Sequence, residues 1–151
     1  MTIEVGDNIP SVKLAIMGAE GKEDLPTDNL FRGKKVVVFG VPGAFTPTCS
    51  AKHLPGFVEH ADAIMARGVD TIVCISVNDA FVMGAWGQDQ KVGDKVMMVA
   101  DGSAHFTEAT GLELDLRERG MAMRCQRFSM LVEDGVVKSL NIDKGTLEKT
   151  S

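Results

Sequence analysis

The sequence predicts an α/β fold in which one mixed β-sheet is flanked by helices. Two apolar runs rich in β-branched residues, 35–41 and 71–77, are typical of strands that are buried on both faces of a parallel sheet. Between them, apolar residues recur at helical spacing over residues 54–65, and Gly68 follows as a stop signal. In this order the three elements form a βαβ unit, whose strands are parallel.

The remaining elements follow from local patterns. The polar stretch 18–24 predicts the turn of an N-terminal β-hairpin extension. Either Asn78 or Asp79 can cap a helix that runs to about Gln90, and residues 96–100 predict a short strand. A short helix over 104–110 and a polar loop then precede two strands, 127–132 and 136–142, which flank the hairpin signal Asp134-Gly135.

A βαβ unit followed by a β-hairpin in one mixed sheet is the arrangement of a thioredoxin-like fold. The chain contains no internal repeat, low-complexity tract or flexible linker. We therefore predict a single domain over residues 1–151.

Composition and charge limit the classes of function. The 151 residues carry 16 basic and 21 acidic side chains, a formal net charge of −5, and 44% of the residues are hydrophobic. This composition is not that of a disordered chain, nor of a nucleic-acid binder, which needs clustered Lys and Arg. Because the sequence shows neither a secretory signal nor an apolar run of membrane-spanning length, we expect a soluble, cytoplasmic protein that binds neither nucleic acid nor membrane.

The three cysteines have to be explained one by one. An odd number cannot form a closed disulfide framework, and three are too few for a zinc ribbon, so a reducing compartment is expected. No phosphate-binding loop indicates a nucleotide cofactor, and His53 and His60 lack the spacing of four that favours a metal site. We expect neither a cofactor nor a metal.

The segment 41–50 joins the carboxyl end of the first buried strand to a helix. Thr46 can cap this helix, Pro47 suits its first position, and Cys49 falls in its first turn. Helix N–H groups there favour a thiolate and can lower the pKa of a cysteine from ~8.5 toward 7 or below. Thr46 occupies the first position of a Cys-x-x-Cys motif, so that disulfide cannot form. A lone thiolate near a hydroxyl suits attack on a peroxide; the alternative is a buried cysteine that packs as a small hydrophobe.

This segment resembles the active site of the peroxiredoxins, and within them of the peroxiredoxin-5 subfamily that includes the plant type II enzymes. Their signature Pro-x-x-x-Thr-x-x-Cys is met by Pro42, Thr46 and Cys49. The similarity continues through residues 53–57, 76–79, 100–102 and 127–130. It places a fourth catalytic residue on Arg127, whose guanidinium can stabilise a thiolate and donate to both peroxide oxygens. Spacing alone does not choose between Arg127 and Arg124.

The resemblance implies an oxidoreductase, a thiol-specific peroxidase that reduces hydrogen peroxide and organic hydroperoxides in antioxidant defence and redox homeostasis. Cys49 would attack the peroxide and become a sulfenic acid, while Thr46 and Arg127 hold the substrate and Pro42 shields the sulfur. The resemblance also implies a homodimer packed near the active-site loops, involving Phe45 and Trp86.

The resemblance leaves open how the sulfenic acid is reduced. Some members use a cysteine near the carboxyl terminus, but residues 145–151 contain none, either because a last helix is missing or because the chain is naturally short. Cys74 matches a position given a resolving role in plant type II members, yet it lies in the middle of a predicted strand and is interpreted as a core residue. Cys125 has no mapped role, although Arg124 and Arg127 could lower its pKa. Our hypothesis is a one-cysteine cycle in which glutathione with glutaredoxin, or thioredoxin, reduces Cys49.

A second function uses the same thiolate. In a redox-sensing interaction protein, oxidation of Cys49 would switch partner binding and turnover would be incidental. Among the histidines, structural roles are favoured for His53 and His60, although His53 is close enough in sequence to Cys49 to tune it. The sequence reveals no partner for His105.

Overall fold

The structure, a computed structural model, describes residues 2–47 and 52–143. Its strands are β1 (Lys13–Gly18), β2 (Gly21–Pro26), β3 (Lys35–Gly40), β4 (Thr71–Ser76), β5 (Met97–Ala100), β6 (Glu113–Asp115), β7 (Met123–Cys125), β8 (Arg127–Glu133) and β9 (Val136–Asp143). Its α-helices are α1 (Thr27–Phe31), α2 (Leu54–Glu59), α3 (Ala61–Met65), α4 (Ala80–Asp89) and α5 (His105–Thr110).

Seven of these strands form one mixed sheet in the order β2-β1-β5-β4-β3-β8-β9. The central strands β3, β4 and β5 are parallel, whereas β8 and β9 on one side and β1 and β2 on the other are antiparallel to their neighbours. The predicted thioredoxin-like fold is confirmed, with the N-terminal hairpin β1–β2 at one edge of the sheet. The short strands β6 and β7 pair separately.

The sheet has a hydrophobic cluster on each face. One contains Phe39, Leu54, Cys74, Met83 and Trp86 and lies beneath α2, α3 and α4. The other contains apolar residues of β3, β4 and β8 that pack against α1, α5, β7 and the segments before β1 and β6. Because β3 and β4 are covered on both faces, their sequences are continuous apolar runs rather than alternating ones.

Three sequence predictions need correction. The helix predicted over 54–65 is interrupted at His60, whose φ of −98° and ψ of 8° separate α2 from α3. Helical bonding resumes at once, with Ile64 N–H donating to the His60 carbonyl at 3.0 Å, so the apolar periodicity continues through the break. The turn predicted over 18–24 is confined to residues 19–20, because residues 22–24 lie in β2, an edge strand whose polar side chains face solvent. The polar loop predicted before residue 127 contains β6 and β7.

The order of the strands places the candidate site at one edge of the sheet. Because β8 runs antiparallel to β3, the start of β8 lies beside the end of β3, and Gly40 pairs with Phe128. A side chain at Gly40 would collide with the Phe128 ring, so glycine is required for this close approach. No helix within residues 2–47 and 52–143 is both long and apolar enough to cross a membrane.

Candidate active site

The loop that follows β3 is held in place at its first residues by the sheet. Val41 N–H donates to the Ile75 carbonyl of β4 at 3.1 Å, which extends the ladder one residue beyond the strand. Val41 and Pro42 are both buried. The predicted shielding residue Pro42 is therefore fixed at the carboxyl end of β3, where ligands bind in open α/β sheets.

Asn78 anchors the same loop from the end of β4. Its Oδ1 accepts hydrogen bonds from Ala44 N–H at 3.0 Å and from the Ser76 hydroxyl at 2.7 Å. The helix α4 is capped instead by Asp79, whose carboxylate accepts from Val82 N–H at 2.8 Å. Of the two predicted capping candidates, Asp79 caps α4 and Asn78 binds the loop after β3 instead. The sequence did not indicate this role of Asn78.

Thr46 lies where the loop turns into a helix. Its hydroxyl donates to the Gly43 carbonyl at 2.7 Å, so its oxygen lone pairs remain able to accept a hydrogen bond. Phe45 adopts a left-handed conformation with φ of 62°, and Pro47 is already helical, as predicted. Cys49, the predicted nucleophile, lies outside the described residues.

Arg127 and His53 meet inside the protein. Arg127 is the first residue of β8, with 2% of its surface exposed, and His53 immediately precedes α2, with 5% exposed. Their nearest nitrogens, Arg127 Nη1 and His53 Nδ1, are 2.9 Å apart. A guanidinium has donors only, so a hydrogen bond between these nitrogens requires Nδ1 to accept, as it does in the neutral tautomer with the proton on Nε2.

Aromatic rings surround His53 on the other sides. The Phe39 ring of β3 lies 5.1 Å from the imidazole, and the Phe57 ring of α2 lies 5.7 Å from it. The two phenyl rings stack on each other with 3.9 Å between their centroids. This packing restricts the rotamer of His53 and therefore the direction of its Nδ1.

A pocket of about 210 Å³ opens beside this pair. It is lined by His53, Phe57, Arg127, Phe128, Ser129, Asn141 and Asp143. Asp143 is the cross-strand partner of Arg127 in the β8–β9 ladder, so a carboxylate and the guanidinium lie at one level of the sheet. Arg127 borders this pocket although only 2% of its surface is exposed.

Arg124, the alternative to Arg127, binds the loop itself. Its Nε donates to the Met121 carbonyl at 2.7 Å and its Nη1 donates to the Pro42 carbonyl at 3.3 Å. These bonds use the guanidinium to join the β7 segment to the β3 loop. Sequence spacing did not reveal this contact, since the two residues are 82 positions apart.

The other two cysteines are buried on opposite faces of the sheet. Cys74, in β4, is fully buried beneath the helices, which confirms its interpretation as a core residue. Cys125 is 1% exposed in the second cluster, and its thiol donates to the Gln126 carbonyl at 3.3 Å. The expected effect of the neighbouring arginines on Cys125 is wrong, because burial raises the pKa of its thiol to about 12.

Among the described residues, no group of three His, Cys, Asp or Glu side chains is placed to hold a metal ion. The polar groups near the carboxyl end of β3 and the start of β8 are a hydroxyl, a loop carbonyl, an imidazole and a guanidinium, on a thioredoxin-like sheet.

Comparison with known proteins agrees with this class. The Redoxin family model matches residues 4–150. The chain is 47% identical to Peroxiredoxin-2E, chloroplastic, of Arabidopsis thaliana, over 95% of this chain and 63% of that protein. It resembles reduced Prx3 of Vibrio vulnificus in complex with H2O2 (TM-score 0.90, 48% identity, 94% of this chain and 89% of that one). It also resembles peroxiredoxin 5 of Alvinella pompejana (TM-score 0.85, 37% identity, 94% and 90% coverage).

These matches define a protein of the redoxin class. The chain belongs to the peroxiredoxins, which are thiol-dependent peroxidases, and the peroxiredoxin-5 (type II) subfamily predicted from the sequence fits its relatives. The chain spans less than two thirds of the length of the chloroplastic relative.

Proposed function

We propose that this protein reduces hydrogen peroxide and organic hydroperoxides at Cys49, with Pro42, Thr46 and Arg127 as the other members of the catalytic site. The Cys49 thiolate attacks one peroxide oxygen, a sulfur–oxygen bond forms and the oxygen–oxygen bond breaks. The leaving oxygen takes up a proton and departs as water or an alcohol. Cys49 is oxidised to a sulfenic acid and the peroxide is reduced.

The observation that supports this proposal most strongly is the burial of Arg127 beside the loop and helix that flank Cys49. A guanidinium with 2% exposure is weakly screened by water, so it stabilises negative charge more than a surface arginine would. Its Nη1 is held by His53, four residues after Cys49 in sequence. The negative charge that moves from the sulfur to the leaving oxygen would lie close to this cation.

Thr46 would act through its oxygen. Since its hydroxyl donates to the Gly43 carbonyl, its lone pairs can accept a hydrogen bond from the O–H of a bound peroxide. Buried Pro42 would exclude water from the bound peroxide. This exclusion would strengthen the interactions of the peroxide with the Thr46 hydroxyl and the Arg127 guanidinium.

We further propose that an external thiol, glutathione with glutaredoxin or thioredoxin, completes the cycle. A first thiol would condense with the sulfenic acid to a mixed disulfide and release water, and a second thiol would return Cys49 and leave as a disulfide. The burial of Cys74 in a central strand and the raised pKa of Cys125 make both poor resolving thiols. A thiol that must be reduced after each turnover needs a reducing compartment, so we assign the protein to the cytoplasm.

Steady-state peroxide consumption with each reductant tests the proposal. We expect many turnovers per chain with wild-type protein and none with Cys49→Ser, while Cys74→Ser and Cys125→Ala retain activity. Consumption of about one peroxide per chain would instead indicate a redox-sensing interaction protein. Mass spectrometry after one equivalent of peroxide identifies the first product, and a Cys49–Cys74 disulfide would contradict the external reductant.

A further inference from the structure

The contact between His53 and Arg127 depends on the charge of the imidazole. Nδ1 accepts from Arg127 only while it carries no proton, and the two nitrogens are 2.9 Å apart. Protonation would convert this hydrogen bond into a contact between two donors that both carry positive charge. At such a distance in a buried site the repulsion is large, so either the proton or the guanidinium must leave.

We propose that His53 is a positioning residue for Arg127 and that it performs this role only as the neutral imidazole. Protonation of His53 displaces the guanidinium and slows the reaction with peroxide, even when Cys49 is ionised. The inference rests on the proposed function, because it assumes that Arg127 takes part in peroxide reduction. The rate of the peroxide reaction would then depend on the protonation of two groups, His53 and Cys49, and not on the thiolate fraction of Cys49 alone.

The surroundings of His53 determine the direction of this effect. Strand β8 contributes the cation of Arg127, while β3 and α2 contribute the uncharged rings of Phe39 and Phe57. Strand β9 contributes the Asp143 carboxylate, which lines the same pocket and is the cross-strand partner of Arg127. The carboxylate would offset part of the repulsion, whereas burial and the Arg127 cation both oppose a positive charge on His53.

Because the His53 ring is held in place, a positive charge on it should move Arg127 and not the ring. With 5% exposure and aromatic rings on two sides, His53 has little space to rotate away from Arg127. The guanidinium, in contrast, has the polar pocket beside it, which offers space and the Asp143 carboxylate. We therefore expect Arg127 to move when His53 becomes charged.

The test separates His53 from the thiolate. Two rates are measured from about pH 7.5 down to about pH 4.5, because burial and the adjacent cation oppose protonation of His53: the peroxide reaction by stopped flow, and alkylation of Cys49 by iodoacetamide, which reports its thiolate fraction. In wild-type protein the ratio of the peroxide rate to the thiolate fraction should fall about tenfold for each pH unit below the titration of His53. In His53→Asn the side-chain oxygen replaces Nδ1 as an acceptor that cannot be protonated, so the ratio should stay constant.

Two further variants complete the design. His60→Asn changes an exposed histidine on the same helical segment and should keep the wild-type fall. Arg127→Met removes the group that His53 positions, so its ratio should be low and independent of pH, which tests the inference even if His53→Asn does not fold. A constant ratio in wild-type protein, or an undiminished fall in His53→Asn or Arg127→Met, would overturn the inference. Absence of peroxide reduction by wild-type protein at every pH would instead overturn the proposed function.

Discussion

Arg124 and Arg127 lie three positions apart and contact opposite sides of the same site. Arg124 donates to the Pro42 carbonyl at 3.3 Å and so holds the loop after β3, whereas Arg127 meets His53 at 2.9 Å beside α2. One guanidinium is half-buried at the loop and the other is almost wholly buried. Their roles are therefore different, although their spacing in sequence makes them look equivalent.

The two arginines should differ in their effect on the peroxide reaction. We expect Arg127→Met to lower kcat/KM by about 10²- to 10³-fold, the loss typical of one buried donor to developing charge. Arg124→Met removes a bond to a loop carbonyl, worth about 1 kcal/mol, and should cost about tenfold or less. Exposed Arg119→Met serves as the control and should leave the rate unchanged. A larger loss in Arg124→Met than in Arg127→Met would show that the catalytic role belongs to Arg124 and not to Arg127.

Gly43 is closely packed against its neighbours in the loop after β3. A Cβ there would lie 3.0 Å from Arg124 Nη1 and 3.1 Å from Thr46 Cγ2, so both side chains would have to shift. We expect Gly43→Ala to reduce the peroxide rate while the protein remains folded. Gly56→Ala is the matched control, because a Cβ at this position in α2 meets nothing within 4 Å and alanine favours the helix. Equal peroxide rates in Gly43→Ala and wild type would show that this packing has no influence on the reaction.

The buried thiol of Cys125 should make the protein sensitive to alkaline pH. Its pKa is about 12 in the folded protein and 9.0 in an exposed cysteine, so the unfolded chain releases this proton first as the pH rises. The thiol therefore contributes stability that is present below pH 9.0 and is lost between there and pH 12. From about pH 8 to about pH 10 the loss should be about 1.4 kcal/mol of unfolding free energy.

Urea unfolding at both pH values measures this contribution. Cys125→Ala removes the titrating thiol and leaves a small cavity, whose cost is the same at both pH values. The change in stability between the two pH values therefore differs between the two proteins only by the contribution of the thiol. Wild-type protein should lose about 1.4 kcal/mol more than Cys125→Ala over this interval. If both proteins lose the same amount, the thiol titrates normally and is accessible to water.

A homodimer formed near the active-site loops would use Phe45. This residue is 52% exposed and lies above Trp86, with 6.4 Å between the two rings, whereas Trp86 is fully buried. Trp86 therefore cannot contact a second protomer directly and can only pack against Phe45 from inside the protein. We expect Phe45→Glu to shift the protein to monomer in sedimentation velocity, while Val5→Glu, at an apolar residue with 61% exposure, leaves the oligomer unchanged. A dimer that persists in Phe45→Glu would place the interface elsewhere.

The parts of the fold that could be predicted are those whose residues carry a periodic pattern. The parallel strands β3 and β4 were evident because their burial on two faces leaves continuous apolar runs. The three-residue strands β6 and β7 were not, because they are too short for a period and depend on pairing with each other. The break at His60 was hidden because the apolar spacing is the same on both sides of it.

The candidate site divides in a similar way. Its local part, Pro42 to Pro47, was predicted as a helix start after a buried strand, and Cys49 lies outside the described residues. The contacts of Asn78, Arg124 and His53 were not visible, because they join residues 34, 82 and 74 positions apart and no local rule connects such positions. The roles of Pro42, Thr46, Cys49 and Arg127 remain predictions for the experiments above.

The pairing of β3 with β8 also affects when activity can arise during folding. The two arginine contacts at the site join residues 74 and 82 positions apart, so they require closure of long loops, which is slow compared with formation of local helices. A chain that has formed β3, α2 and β4 but not β8 would contain the thiol without its guanidinium. Recovery of peroxidase activity during refolding should therefore follow, and never precede, the docking of β8.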